Sequence, residues 1–117
     1  MIGGNDIAAA KSFYDAALGA LGVEPGVIDP KGRCFYRTET GVFAISTPRD
    51  GNAASHGNGS TVGFLADSPE AANAWHTAGL ANGGSTCEEP PGPRGDLSLA
   101  YLRDPSGNKI CALHRMS

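Results

Sequence analysis

Thr61-Val62-Gly63-Phe64-Leu65-Ala66-Asp67-Ser68-Pro69-Glu70 is the stretch on which the architecture turns. Its first five residues form a short apolar run suited to a strand. Within two further residues the chain reaches a helix start. Ser68 can accept the free N–H groups of a first helical turn, and Pro69 suits the first helical position, where its missing N–H costs nothing. The pattern predicts a helix from about Glu70 to Ala81, stopped by Asn82-Gly83-Gly84.

Working back from this stretch, the same pattern recurs 62 residues earlier. The shift places Asp6 on Ser68, Ala9 and Ala10 on Ala71 and Ala72, Phe13 on Trp75, Leu18 on Leu80 and Gly22 on Gly84. Ile7, Ala10, Phe13, Tyr14, Ala17, Leu18 and Leu21 recur at steps of three and four, which lines one helix face. Asn5-Asp6 supplies the cap, and glycine at 19–22 permits the exit. Ahead of this helix, Met1-Ile2-Gly3-Gly4 is too short for a full strand.

Each helix is followed by strand-like runs. Residues 27–30 read as a turn-rich connection. Residues 33–37 and 42–46 read as strands, with Glu39-Thr40-Gly41 as a hairpin turn between them. In the second half, Pro90-Pro91-Gly92-Pro93 reads as a loop and residues 97–103 as a strand. Asp104-Pro105-Ser106-Gly107-Asn108 reads as a turn and residues 109–114 as the last strand. Tyr36 falls near Tyr101 and Phe43 near Ile110 once loop lengths are allowed for. Elements repeating in order predict an α+β domain with two similar sheets, in which residues 1–48 form module one, 49–60 a linker and 61–117 module two.

Composition narrows the function. A chain of 117 residues suits one domain, because domains of about 100–150 residues are commonest. Seventeen glycines and eight prolines fit many turns and short strands. A net charge of −3, with nine scattered Lys and Arg, argues against a nucleic-acid partner. No apolar run approaches the ~20 residues of a membrane span, and no signal-peptide pattern opens the chain. Cys34, Cys87 and Cys111 lack metal-type spacing, which suggests free thiols in a reducing cytoplasm.

Several segments together resemble a known family. In the first half these are Ile2-Gly3-Gly4-Asn5-Asp6, Phe13-Tyr14-Asp15 and Leu18-Gly19. In the second they are His56-Gly57-Asn58-Gly59, Phe64, Asp67-Ser68-Pro69-Glu70-Ala71, Gly83-Gly84 and Arg103-Asp104-Pro105-Ser106-Gly107-Asn108-Lys109. Over nearly its whole length the chain resembles the vicinal oxygen chelate superfamily of glyoxalases, bleomycin-resistance proteins and extradiol dioxygenases. The resemblance implies two βαβββ modules curled into an open, U-shaped half-barrel around a small-molecule pocket, commonly in a homodimer. It also implies, in the family's enzymes, a divalent metal held by His, Glu or Gln side chains from the first and last strands of each module, acting as a Lewis acid.

Carried over position by position, that ligand set is incomplete here. The first position falls about two residues ahead of Met1, so a natural start further upstream could supply a His. The others fall on Ala44, which has no donor, Thr61, a neutral hydroxyl, and Cys111, in place of a typical carboxylate. Cys111 is the one plausible ligand, whereas a catalytic metal needs about three. The leading expectation is therefore a small-molecule-binding protein with a degenerate metal site. A metal-dependent lyase or dioxygenase using an upstream His with Cys111 is the alternative, and a thiol-dependent enzyme using Cys111 the third.

Other residues carry weaker indications. His56, in the loop ahead of the second module, could gate a pocket or transfer protons, or simply cap a turn. Tyr36 and Tyr101, on equivalent strands, could stack on a ligand or pack beneath the helices. Arg33, Arg37 and Arg103 could each bind a carboxylate or phosphate, or sit as solvated strand-end charges. Arg94 is a candidate lid residue. His76 and His114 suit structural positions, and Cys34 and Cys87 small buried apolar ones.

Overall fold

The computed structural model describes residues 1–116. Module one runs β1 (Ile2–Gly3), α1 (Ile7–Gly19), β2 (Val27–Ile28), β3 (Cys34–Arg37) and β4 (Val42–Ser46). Module two runs β5 (Val62–Leu65), α2 (Pro69–Ala81), β6 (Ser85–Thr86), β7 (Gly92–Arg94), β8 (Leu97–Arg103) and β9 (Lys109–Arg115). Module two's last residue, Ser117, lies outside the described residues.

Both helices start on the residues that the sequence marks. Asp6 accepts the Ala9 N–H at 3.0 Å, and Ser68 accepts the Ala71 N–H at 3.0 Å with Pro69 in the first turn. The sheets repeat one topology. Sheet A is ordered β1-β4-β3-β2 and sheet B β5-β9-β8-β6, with β7 added alongside β8. In each module the first strand runs parallel to the last, and the other pairings are antiparallel. The two sheets do not join into a closed barrel.

Two segments that read as connections are short strands. Val27 and Ile28 pair with Phe35 and Cys34, and Gly92, Pro93 and Arg94 pair with Leu99, Ser98 and Leu97. Two or three residues are too few to show alternation. Pro93 is tolerated because β7 lies at the margin of the sheet, where a missing N–H leaves no ladder bond unmade.

Register fixes what each sheet face presents. Cys34, Tyr36, Phe43 and Ile45 of sheet A face the helices, as do Ala100, Leu102, Ile110 and Ala112 of sheet B. They join Phe13, Tyr14 and Trp75 in one core shared by both modules. Phe13 and Trp75, equivalent in the repeat, are both fully buried. Alternation turns the intervening residues onto the opposite face, which no helix covers. On sheet A these are Val27, Phe35, Arg37, Val42 and Ala44; on sheet B they are Gly63, Leu65, Leu99, Tyr101, Cys111 and Leu113. Of these, Leu65 is 72 % exposed, Val27 61 % and Val42 59 %.

The turn at residues 104–108 does more than reverse the chain. Asp104, nearly fully buried, accepts the backbone N–H groups of Ser106 and Asn108 and the side-chain amide of Asn108, each at 2.9 Å. It also accepts the Tyr14 hydroxyl at 2.7 Å, and Asn108 donates to the Gly3 carbonyl at 2.8 Å. Burial and the facing carboxylate push the Tyr14 phenol up, which keeps it protonated as the donor. The most recognisable motif in the sequence is thus a staple between modules.

Candidate functional site

A cleft of about 570 Å³ separates the free edge of β4 from that of β5. β1 spans only Ile45 and Ser46 of its neighbour, so the β4 edge from Val42 to Ala44 has no strand beside it. The rings of Tyr36, Phe43 and Phe64 and the side chain of Leu18 line the cleft, with Thr38 and Thr40 at its rim. Phe43 and Phe64 meet edge to face with centroids 5.1 Å apart, an arrangement that suits aromatic quadrupoles. Tyr14 packs 4.9 Å from Phe43, fixing that ring from behind.

Gly63 lines the cleft and pairs with Cys111 across β5 and β9. A Cβ there would lie 3.4 Å from the Cys111 sulfur and 3.1 Å from Leu113 Cδ2, so glycine leaves room beside the thiol. Beyond it Cys111 pairs across the strands with Tyr101, both on the uncovered face. The Lys109 ammonium sits 5.1 Å from the Tyr101 ring centroid and forms an ion pair with Glu88. Burial pushes the Cys111 thiol up, outweighing the pull of Lys109, so it is a neutral S–H at physiological pH.

The residues that the sequence singles out fall into separate groups. Cys111 and Tyr101 are neighbours, and Thr61 is exposed just ahead of β5. Tyr36 takes the other face: it is nearly buried, its ring borders the cleft, and its hydroxyl donates to Asp15 at 2.8 Å. Arg103 and His56 meet at the staple. Arg103 donates to the Gly107 carbonyl at 2.7 Å, and the His56 ring lies against Gly107, where a Cβ would come within 2.7 Å of Nδ1. Arg94 folds back on its own loop, donating to the Pro90 carbonyl at 3.0 Å. His114 contacts the Ala66 carbonyl through Nδ1 at 2.9 Å, on the strand face opposite Cys111. Cys34 is buried, whereas Cys87 is only half-buried.

Sequence alone does not mark Phe43, Phe64 and Gly63 as site residues. Their strand positions are legible, but the cleft exists only because two strand edges from different modules face each other.

The metal that the family's enzymes use can be tested against these donors. Ala44 offers none, Thr61 a neutral exposed hydroxyl and Cys111 a protonated thiol. Among the described residues no three His, Cys, Asp or Glu side chains converge into a potential ligand set. The residues present do not fit a divalent ion with three protein ligands.

Comparison with known proteins places this architecture. The profile of the Glyoxalase/Bleomycin resistance protein/Dioxygenase superfamily matches residues 1–112. A solved glyoxalase/bleomycin resistance protein from Albidiferax ferrireducens T118 is 60 % identical, with a TM-score of 0.95 over 98 % of this chain and 95 % of that one. A lactoylglutathione lyase from Agrobacterium tumefaciens has a TM-score of 0.67 at 20 % identity, covering 97 % of this chain and 88 % of its own. A glyoxalase-related enzyme from Fulvimarina pelagi has a TM-score of 0.76 at 18 % identity, covering 97 % and 84 %. These last two share the fold alone. No match was found among functionally curated proteins. With its two modules, its cleft and a 60 % identical structural relative, the chain belongs to the glyoxalase/bleomycin resistance protein/dioxygenase superfamily.

Proposed function

We propose that this protein binds a small, mostly apolar organic molecule in the cleft and on the adjoining Cys111 face, without a metal held by its own side chains. The donor set carries this reading. Where a metal would be chelated stand Ala44, Thr61 and Cys111, with Tyr101, Leu99 and Leu113 on the same face as Cys111, while Phe43 and Phe64 line the adjoining cleft. Such a surface holds a ligand by desolvation and ring stacking and aligns few polar groups for chemistry. A nucleophilic role for Cys111 needs a thiolate, which burial disfavours.

The same reading includes a homodimer. Val27 and Phe35, paired on the uncovered face of sheet A away from the cleft, form an apolar patch that a second copy would cover. The free thiols of Cys34, Cys87 and Cys111 suit the reducing cytoplasm as the place of action. No helix among the described residues is long and apolar enough to cross a membrane.

Native mass spectrometry of the purified protein tests the binding reading. The expected result is a non-covalent small-molecule adduct that disappears in Gly63→Val, whose branched side chain would intrude on the cleft wall and crowd Cys111. Wild-type protein without any adduct, or an adduct that Gly63→Val leaves intact, would overturn it. Sedimentation tests the dimer: the native chain should sediment as a dimer and Val27→Asp as a folded monomer.

A further inference from the structure

A second cleft, of about 720 Å³, lies where the β2–β3 turn meets the end of β4, and its chemistry differs from the first. Lys31, Arg33 and Arg49 line it, together with Ser46 and Thr47, and no carboxylate is among its lining residues. It shares only Met1 and Ile2 with the aromatic cleft, and its chemistry is independent of whatever that cleft binds.

The grouping of charge here is unusual for this chain. Of nine Lys and Arg residues, Lys11, Arg33, Arg94, Lys109 and Arg115 are ion-paired, and Arg103 is engaged by the Gly107 carbonyl. Among the described residues Lys31, Arg37 and Arg49 form no ion pair, and two of these three line this cleft. Asp29, the nearby carboxylate, acts as a support. It accepts the backbone N–H groups of Lys31 at 3.0 Å and Arg33 at 2.9 Å, which shapes the turn. Its other oxygen grips the Arg33 guanidinium, Nε at 2.7 Å and Nη2 at 2.5 Å. The Phe35 ring supports the same guanidinium, 5.2 Å from centroid to Cζ. Arg33 is therefore held from two sides with Nη1 left over. Asp50, next to Arg49 in sequence, accepts the Asn52 N–H at 2.9 Å and forms no ion pair with Arg49.

Three cations against the single Asp29 carboxylate leave two positive charges uncompensated, beside the hydroxyl of Thr47. A preoriented guanidinium, a second fork and a point charge around one cleft match an oxyanion with several acceptor oxygens and a double charge. We propose that Lys31, Arg33 and Arg49 form a binding site for a dianionic phosphate group. The net charge of the chain is −3, so general attraction of anions to the protein does not supply this preference.

The test titrates inorganic phosphate into the full chain at constant ionic strength, followed by amide NMR shifts, with acetate in a parallel arm. Saturable shifts are expected at Lys31, Arg33, Thr47 and Arg49. Affinity should fall about tenfold in Arg49→Gln and again in Lys31→Gln, the loss of one charge-assisted contact each. Neither side chain is ion-paired in the fold, and the spectra report folding directly. Arg37→Gln, on the same sheet but outside the cleft, should bind as the native chain does. Absent saturation, variants that bind undiminished, or an equal loss in Arg37→Gln would overturn the site. Acetate binding as tightly as phosphate would overturn the dianion assignment.

Discussion

The turn from β3 to β4 and the turn from β8 to β9 occupy the same place in the two modules, yet they do opposite work. Thr38 follows Arg37 at the end of β3, as Asp104 follows Arg103 at the end of β8. Thr38 bonds only within its own hairpin, to Thr40 and Gly41, and is exposed. Asp104 is buried and holds four donors, one of them Tyr14 from the other module. A repeated module thus needs only one of its two turns to join the halves. The freed turn rims the cleft, where Thr38 and Thr40 face solvent and any ligand.

Substitutions at equivalent positions should expose this asymmetry. Asp104→Ala leaves the Tyr14 hydroxyl and two backbone N–H groups without their acceptor, so urea unfolding should show a loss of about 3–4 kcal/mol. Thr38→Ala should change stability by less than about 0.5 kcal/mol. Equal effects would remove the distinction between the turns. Tyr14→Phe deletes one charge-assisted hydrogen bond and should cost about 1.5–2 kcal/mol, with Asn108 still able to hold the carboxylate. Next in size is Gly107→Ala. Its φ of +90° disfavours a side chain and the new Cβ would press on His56, so a loss of roughly 1–2 kcal/mol is expected. Gly41→Ala, with no neighbour for its Cβ, should be nearly silent.

The smallest effect concerns pH. Burial pushes the Asp15 carboxyl up, but Lys11, the Gly26 N–H and the Tyr36 hydroxyl more than offset this and hold it below the ordinary carboxylate range. A lowered folded pKa contributes stability that is present above the unfolded carboxyl pKa and fades as pH falls through the folded one. Asp15→Asn should therefore flatten that part of the acid unfolding curve and leave the alkaline side unchanged. An unaltered acid limb would show that module one's network does not couple to protonation.

These differences also mark where reading the sequence succeeds. Helices α1 and α2 announce themselves through Asp6, Ser68 and Pro69, because capping is chemistry between residues two or three apart. Strands β8 and β9 are long enough to alternate. β2 and β7 are too short for any period, and Pro93 disguises the latter. Asp104 reads as a turn residue, but its partner Tyr14 lies 90 positions away and only the fold joins them. Cys111 stands out through its position in the family pattern, and its neutrality follows from a burial that Ile110, Ala112 and Leu113 already suggest in the sequence. The cleft between β4 and β5, and the meeting of Lys31 with Arg49, arise from tertiary packing and leave no local trace.

The chain has the family's fold, and the proposed function places Ala44, Thr61 and Cys111 where the family's enzymes would hold a metal. Calorimetric titration of zinc into metal-free protein tests that reading most directly. No stoichiometric binding tighter than about 1 µM, or −8 kcal/mol, is expected, and Cys111→Ala should give the same weak trace. One tight equivalent of zinc per chain, lost in Cys111→Ala, would contradict it.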